Sequence, residues 1–182
     1  MHCNLFLLYA YYKQRSYKRI LMINFQDLYE SYANEVYRFT LWLAGDSSEA
    51  EDITSETFIR AWVHNSKIRT ETLKAYLFTI SRNIYLEHKR KRKHQVILED
   101  IYPDPAPGPD KLTESQLKLQ RVQRVLQTLP EIDRAAFVLR VQHELPYDEI
   151  ARVLELSLTA TKVKVYRVRK KLIATCIDKE AY

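Results

Sequence analysis

A chain of 182 residues, 46% of them hydrophobic and 29% charged, is long enough for one ordinary domain or two small ones. Its two glycines, Gly45 and Gly108, are too few for an all-β fold or a phosphate-cradling loop, both of which need backbone at positive φ or close against a ligand. A formal net charge of +6 favours a polyanionic partner.

At the N-terminus the apolar run from Leu5 to Tyr12 is too short to span a bilayer. The cations Lys13, Arg15, Lys18 and Arg19 follow that run, the reverse of a secretory signal. Residues 1–23 are therefore expected to be an extension, non-native or disordered, with Met22 just ahead of the first periodic helix.

Phe25, Leu28, Tyr32, Val36, Phe39 and Leu43 recur at helical steps. Gly45 to Ser48 stops this helix, and Ser48 with Glu51 fits a capping box for a second one over about Glu49 to His64. On that helix Ala50, Ile53, Thr57 and Ala61 form one face, while Phe58 and Trp62 project roughly opposite. A helix apolar on two faces is either fully buried or meets a partner.

After a polar loop from His64 to Thr70, a third helix is expected from about Thr72, with Leu73, Tyr76, Leu77, Ile80 and Ile84 as its core stripe. Phe78, Arg82, Tyr85, Lys89 and Lys93 fall on the other side. Rings interleaved with cations suit single-stranded nucleic acid, where rings stack on unpaired bases and cations follow phosphates. The same spacing also suits rings that simply pack against another helix. From Lys89 to Lys93 every residue is basic, whereas Asn24 to Leu73 carries nine acids against four bases.

Pro103, Pro105, Pro107 and Pro109 alternate through residues 101–110, which prevents helix and favours an extended tether. The expected organisation is a domain over residues 24–95, a flexible Pro-rich linker over 96–112, a second domain over 113–176 and a tail over 177–182.

In the second domain Leu119, Val122, Leu126 and Leu129 suggest one helix ended by Pro130, and Ile132, Ala135, Ala136 and Leu139 another. Pro146 opens a short helix with Asp148 and Glu149 in its first turn and Ile150, Val153 and Leu154 facing inward. Glu155-Leu156 is a tight turn, and Ser157 or Thr159 caps a last helix with the core stripe Thr161, Val165, Val168 and Leu172. That helix has six bases and no acid between Lys162 and Lys171. Two helices joined by a short turn, the second strongly basic, read as a helix-turn-helix. Thr159, Lys162, Val163, Tyr166, Arg167 and Lys170 point away from its core stripe. A generic helical hairpin is the plainer alternative.

Catalytic and metal-binding sets do not emerge. Cys3 and Cys176 match no metal-ligand spacing, the five histidines form no cluster, and no carboxylate pair or nucleophile–base set stands out. The expectation is a cytoplasmic, all-α, non-enzymatic protein of two small helical domains, without cofactor, metal or membrane insertion.

Two blocks in this order resemble a bacterial sigma factor of the extracytoplasmic-function (ECF) group. The first is the stretch from Ala50 to Trp62 followed by Ala75 to Asn83; the second is Leu129 to Arg134, then Glu149 to Leu154 and the basic helix. The resemblance covers about Phe25 to Leu172. It implies docking on core RNA polymerase through Asp52, Glu56, Phe58 and Trp62. It implies binding of the melted −10 element by Lys67, Arg69, Phe78, Arg82, Asn83, Tyr85 and Lys89, with one base flipped into the loop at 65–70. It implies duplex −35 recognition by the last helix, with Lys162, Val163 and Tyr166 of its six outward residues facing bases, and an anti-sigma factor as a further possible partner. Three positions depart from the usual pattern: Ser55 replaces Gln, Glu155 replaces Gly in the turn, and Ala160-Thr161 replaces a common Thr-Val pair. A stand-alone helix-turn-helix regulator is the alternative function.

Overall fold

The computed structural model describes residues 25–63, 73–95 and 113–176. Seven helices are present among them: α1 (Phe25–Ala44), α2 (Ser47–Val63), α3 (Leu73–Gln95), α4 (Glu114–Gln127), α5 (Glu131–Val141), α6 (Tyr147–Leu154) and α7 (Leu158–Cys176). No strand occurs among the described residues. The fold is all-α. Helix α1 is divided between Asn34 and Glu35 by the boundary of two compact units.

Val36, Phe39 and Leu43 of α1 are buried, as are Ile53 and Phe58 of α2 and Leu77 and Ile84 of α3. Polar groups in this core bond mainly within their own helix, and Thr40 Oγ1 also lies 3.3 Å from the Ala50 carbonyl and from Thr54 Oγ1 of α2. Thr40 Oγ1 donates to the carbonyls of Val36 and Tyr37, and Thr54 and Thr57 donate to those of Ala50 and Ile53, one turn back. Hydroxyls that return their proton to their own helix can be buried at little cost. Helix α2 starts two residues earlier than expected, and its cap is Asp46, whose Oδ1 accepts from the Glu49 amide at 2.7 Å. The Ser48–Glu51 capping box is not formed, because Ser48 already lies inside the helix.

Among α4–α7, Thr113 and Gln116 make a complete capping box at the start of α4. That helix ends at Gln127, so Leu129 lies outside it, and Leu119 is exposed rather than core. Leu126, Ala135, Leu139, Ile150, Val153, Val165 and Val168 form the core here. The short helix α6 buries Ile150, Ala151, Val153 and Leu154 as expected.

These C-terminal helices do not stand apart from the rest of residues 35–182. Helix α6 packs against α3, and Gln127 Nε2 donates to the Trp42 carbonyl at 3.1 Å. At the C-terminal end of α1, Gly45 has φ +79, and a Cβ there would meet the Gln127 side chain at 2.8 Å. Glycine meets both demands, a left-handed backbone and the close approach of a neighbouring side chain.

Candidate nucleic-acid and polymerase interfaces

The turn between α6 and α7 is built on Glu155, at φ 55 and ψ 44. Its amide closes the end of α6, and the Leu156 amide reaches the Ala151 carbonyl at 2.9 Å. The turn therefore keeps its left-handed geometry without glycine, at a cost of roughly 1 kcal/mol. Ser157, not Thr159, caps α7, its Oγ accepting from the Ala160 amide at 3.1 Å. The hydroxyl of buried Thr161 donates to the Ser157 carbonyl at 3.0 Å, so this unusual core residue leaves no orphan donor.

With Thr161, Val165 and Val168 turned inward, Thr159, Lys162, Val163, Tyr166, Arg167 and Lys170 are all exposed, Tyr166 at 65%. Two of the six bases are engaged internally: Lys164 pairs with Asp133 at 2.5 Å, and Lys171 donates to Thr128 Oγ1 at 3.4 Å. Tyr147 supports the start of this surface, with the Arg140 guanidinium 4.9 Å and the Lys162 ammonium 5.9 Å from its ring centre.

Helix α3 departs from the expectation of an exposed ring-and-cation stripe. Phe78 is fully buried between Phe39, 4.9 Å away between ring centres, and His143, 4.6 Å away. Tyr85 is buried too, and its hydroxyl accepts from Arg134 Nη2 at 3.0 Å. Burial raises the Tyr85 pKa, opposed by the nearby Arg134 charge. Arg82 makes a two-pronged ion pair with Glu131 at 2.8 and 3.1 Å. Asn83 and Lys89 are exposed, while Lys67 and Arg69 lie outside the described residues. Spacing placed Phe78, Arg82 and Tyr85 on one face correctly; what it could not show is that α5 and the loop after it cover that face.

Covering it leaves polar atoms stranded. His143 Nε2 and Arg134 Nε are buried without a hydrogen-bond partner among the described residues. Each such atom costs about 1–3 kcal/mol. Burial lowers the His143 pKa to about 3, with the Lys74 and Arg38 charges acting in the same direction.

On α2, Phe58 is fully buried, against the expectation that it shares an exposed face with Trp62. The buried side of α2 takes in Thr54 and Phe58 as well as the Ala50–Ile53–Thr57–Ala61 face, so it is wider than the spacing alone implies. Trp62 is 43% exposed and is joined by Ile59 and Val63. The i, i+3, i+4 spacing of Ile59, Trp62 and Val63 was the available signal for this patch. Asp52 is exposed nearby. Glu56 pairs with Arg60, whose guanidinium also bonds Glu87 of α3 at 2.7 and 3.0 Å. The Glu87 bond leads in pushing the Arg60 pKa up, and the same contact lowers that of Glu87.

Residues 28–95 match the family "Sigma-70 region 2" and residues 119–172 match "Sigma-70, region 4". The ECF RNA polymerase sigma factor SigM of Bacillus subtilis is 30% identical over 154 residues, covering 81% of this chain and 92% of the relative. The chain belongs to the ECF sigma factors. The ECF RNA polymerase sigma factor SigE of Mycolicibacterium smegmatis is 31% identical over 156 residues, covering 83% of this chain and 61% of that protein. Among solved structures, the sigma factor RpoE of Bartonella quintana, in complex with the anti-sigma factor NepR, superposes with a TM-score of 0.71 at 26% identity, covering 83% of this chain and 95% of that one.

This sigma factor is thus a transcription initiation factor that directs core RNA polymerase to promoter DNA. The region 2 match over α1–α3 sets aside a regulator working through its helix-turn-helix alone. Among the described residues, no helix is long and apolar enough to cross a membrane.

Proposed function

We propose that this sigma factor reads duplex −35 DNA with Thr159, Lys162, Val163 and Tyr166 at the N-terminal half of α7, and grips phosphates with Arg167 and Lys170. The observation that carries this reading is the exposure of all six on one side of α7 while Thr161, Val165 and Val168 fill the other. Side chains early on a recognition helix reach base edges, and later cations meet the backbone. The melted −10 strand is assigned to Arg82, Asn83 and Lys89, and to Lys67 and Arg69; Phe78 and Tyr85 act beneath them as core. The polymerase contact is assigned to Asp52, Glu56 and Trp62, extended by Ile59 and Val63; Phe58 acts beneath it as core.

The two working parts are taken as residues 24–95 and 113–176, joined by the Pro-rich linker at 96–112. The work takes place in the cytoplasm and includes no catalytic step by this chain. The Bartonella relative, solved with an anti-sigma factor, supports a partner of that kind here.

Selection against a library of −35 duplexes tests the reading with the chain bound to core polymerase. Lys162→Ala should change the preferred bases, and an unchanged preference refutes the base-reading face. Trp62→Ala should weaken core binding by about tenfold or more, as for a central aromatic anchor, with helix content unchanged.

A further inference from the structure

We propose that Tyr147, the first residue of α6, is a positioning residue for −35 recognition: its ring holds the Lys162 ammonium where it meets base edges, and so sets base preference without touching DNA. The inference rests on the base-reading assignment of Lys162 above and adds what orients that side chain.

A lysine on an open helix face is a point charge on a flexible stem, drawn to whichever phosphate is nearest. Phosphates carry no sequence, so such a lysine adds affinity for every duplex alike. Reading a base needs the ammonium held in one place. No acid pairs with Lys162 among the described residues; the group facing it is the Tyr147 ring, whose centre lies 5.9 Å from Nζ. The kind of partner matters. A carboxylate, such as that of Asp133 on Lys164, takes up donors that DNA would need. A ring attracts the charge through its quadrupole and leaves the N–H donors to acceptors in the major groove.

The ring is itself held in place. Pro146, at φ −59, sets the entry into α6 immediately before Tyr147. The Arg140 guanidinium of α5 lies 4.9 Å from the ring centre, and its Nη1 donates to the Leu145 carbonyl at 3.1 Å. Leu145 is buried, so this anchor belongs to the core. A half-buried ring tied to α5 thus meets an exposed cation on the N-terminal half of α7. A cation–π contact at an exposed site favours the held position about two- to fivefold.

Two measurements test this. In the free full chain, ring current should move the Lys162 ε-methylene protons upfield, their signal being assigned by its loss in Lys162→Ala. Tyr147→Leu should return that signal to the ordinary lysine position, and Tyr147→Phe should keep it shifted. With the chain bound to core polymerase, selection against the library of −35 duplexes reads preference at the base pair where Lys162→Ala acts. Tyr147→Leu should flatten that preference about two- to fivefold, with the salt slope unchanged because every cation is still present. Tyr147→Phe should restore the preference. In a Lys162→Ala background, Tyr147→Leu should change nothing further. Preference is a ratio of affinities of one folded protein, so a lower melting temperature in Tyr147→Leu leaves the comparison intact.

An ordinary ε-methylene position in the parent overturns the ring contact. Unchanged preference in Tyr147→Leu overturns the positioning role alone. Uniformly weaker binding of all duplexes by Tyr147→Phe means that the hydroxyl grips phosphate, and a Tyr147→Leu effect that persists without Lys162 means that the ring reads bases itself; either result overturns action through Lys162. Unchanged preference in Lys162→Ala instead overturns the base-reading assignment, and the proposal with it.

Discussion

Helices α3 and α7 carry similar messages in sequence: an apolar stripe on one side, and aromatic residues among cations on the other, Phe78 and Tyr85 on α3 and Tyr166 on α7. Their fates differ. On α7 the second face is open, with Val163, Tyr166 and its neighbouring cations exposed. On α3 the rings Phe78 and Tyr85 are buried, and Arg82 is bonded to an acid from α5. Periodicity specifies which side chains share a face, because it follows from 3.6 residues per turn. What occupies that face depends on contacts between residues tens of positions apart.

The contrast breaks most readily at its rings. Phe78→Ala should destabilise the protein by about 3–5 kcal/mol, as expected for a fully buried phenylalanine. Tyr166→Ala should stay within about 0.5 kcal/mol of the parent. Denaturant unfolding of the two variants checks this, and equal effects would mean that the two faces are alike after all.

Acid should act on the α3 face next. The folded-state pKa of His143 lies at about 3, below its ordinary value of 6.5. Between those values the unfolded chain holds more protons than the folded one, so stability falls as pH falls through this window. His143→Leu should flatten that part of the profile relative to the parent, a difference in which the titration of carboxylates largely cancels. Parallel curves for parent and variant would show that His143 is not buried as a neutral ring.

A smaller effect sharpens the reading of α7. Arg167→Ala and Lys170→Ala should each lower the slope of log affinity against log salt by about one, uniformly across duplex sequences. Affinity titrations over a range of salt check this, and an unchanged slope would remove that cation from the phosphate contacts. The smallest expected effect lies in the turn. Glu155→Gly relieves left-handed strain but frees the unfolded chain, for a net gain of about 0.5 kcal/mol with DNA preference unchanged. Thermal unfolding reads it, and a loss of stability would mean that the Glu155 side chain contributes more than its backbone costs.

Much of the site was legible from local rules. The six outward residues of α7, the inward face of α6 and the tight turn between them needed only helical spacing and a proline start, whereas the left-handed backbone at Glu155 came from the structure. The Ile59–Trp62–Val63 patch had a local signal as well, obscured because Phe58 lies beside Trp62 in projection. The capping of α2 was misjudged for a local reason: Asp46 and Ser48 both qualify, and a two-residue shift of the helix start decides between them.

The sequence alone determined that the chain is helical, that its basic helix has one wet and one dry side, and that its two blocks belong to a sigma factor. The first two depend on residues within a few turns of one another, where backbone geometry fixes the outcome; the third rests on a resemblance carried by motifs in a particular order. Only the tertiary structure decided that Phe58 is core, that Phe78 and Tyr85 are covered, and that Arg82 faces Glu131 across 49 positions of sequence. No local propensity encodes such a pairing, because it exists only when distant helices close on the same apolar surface.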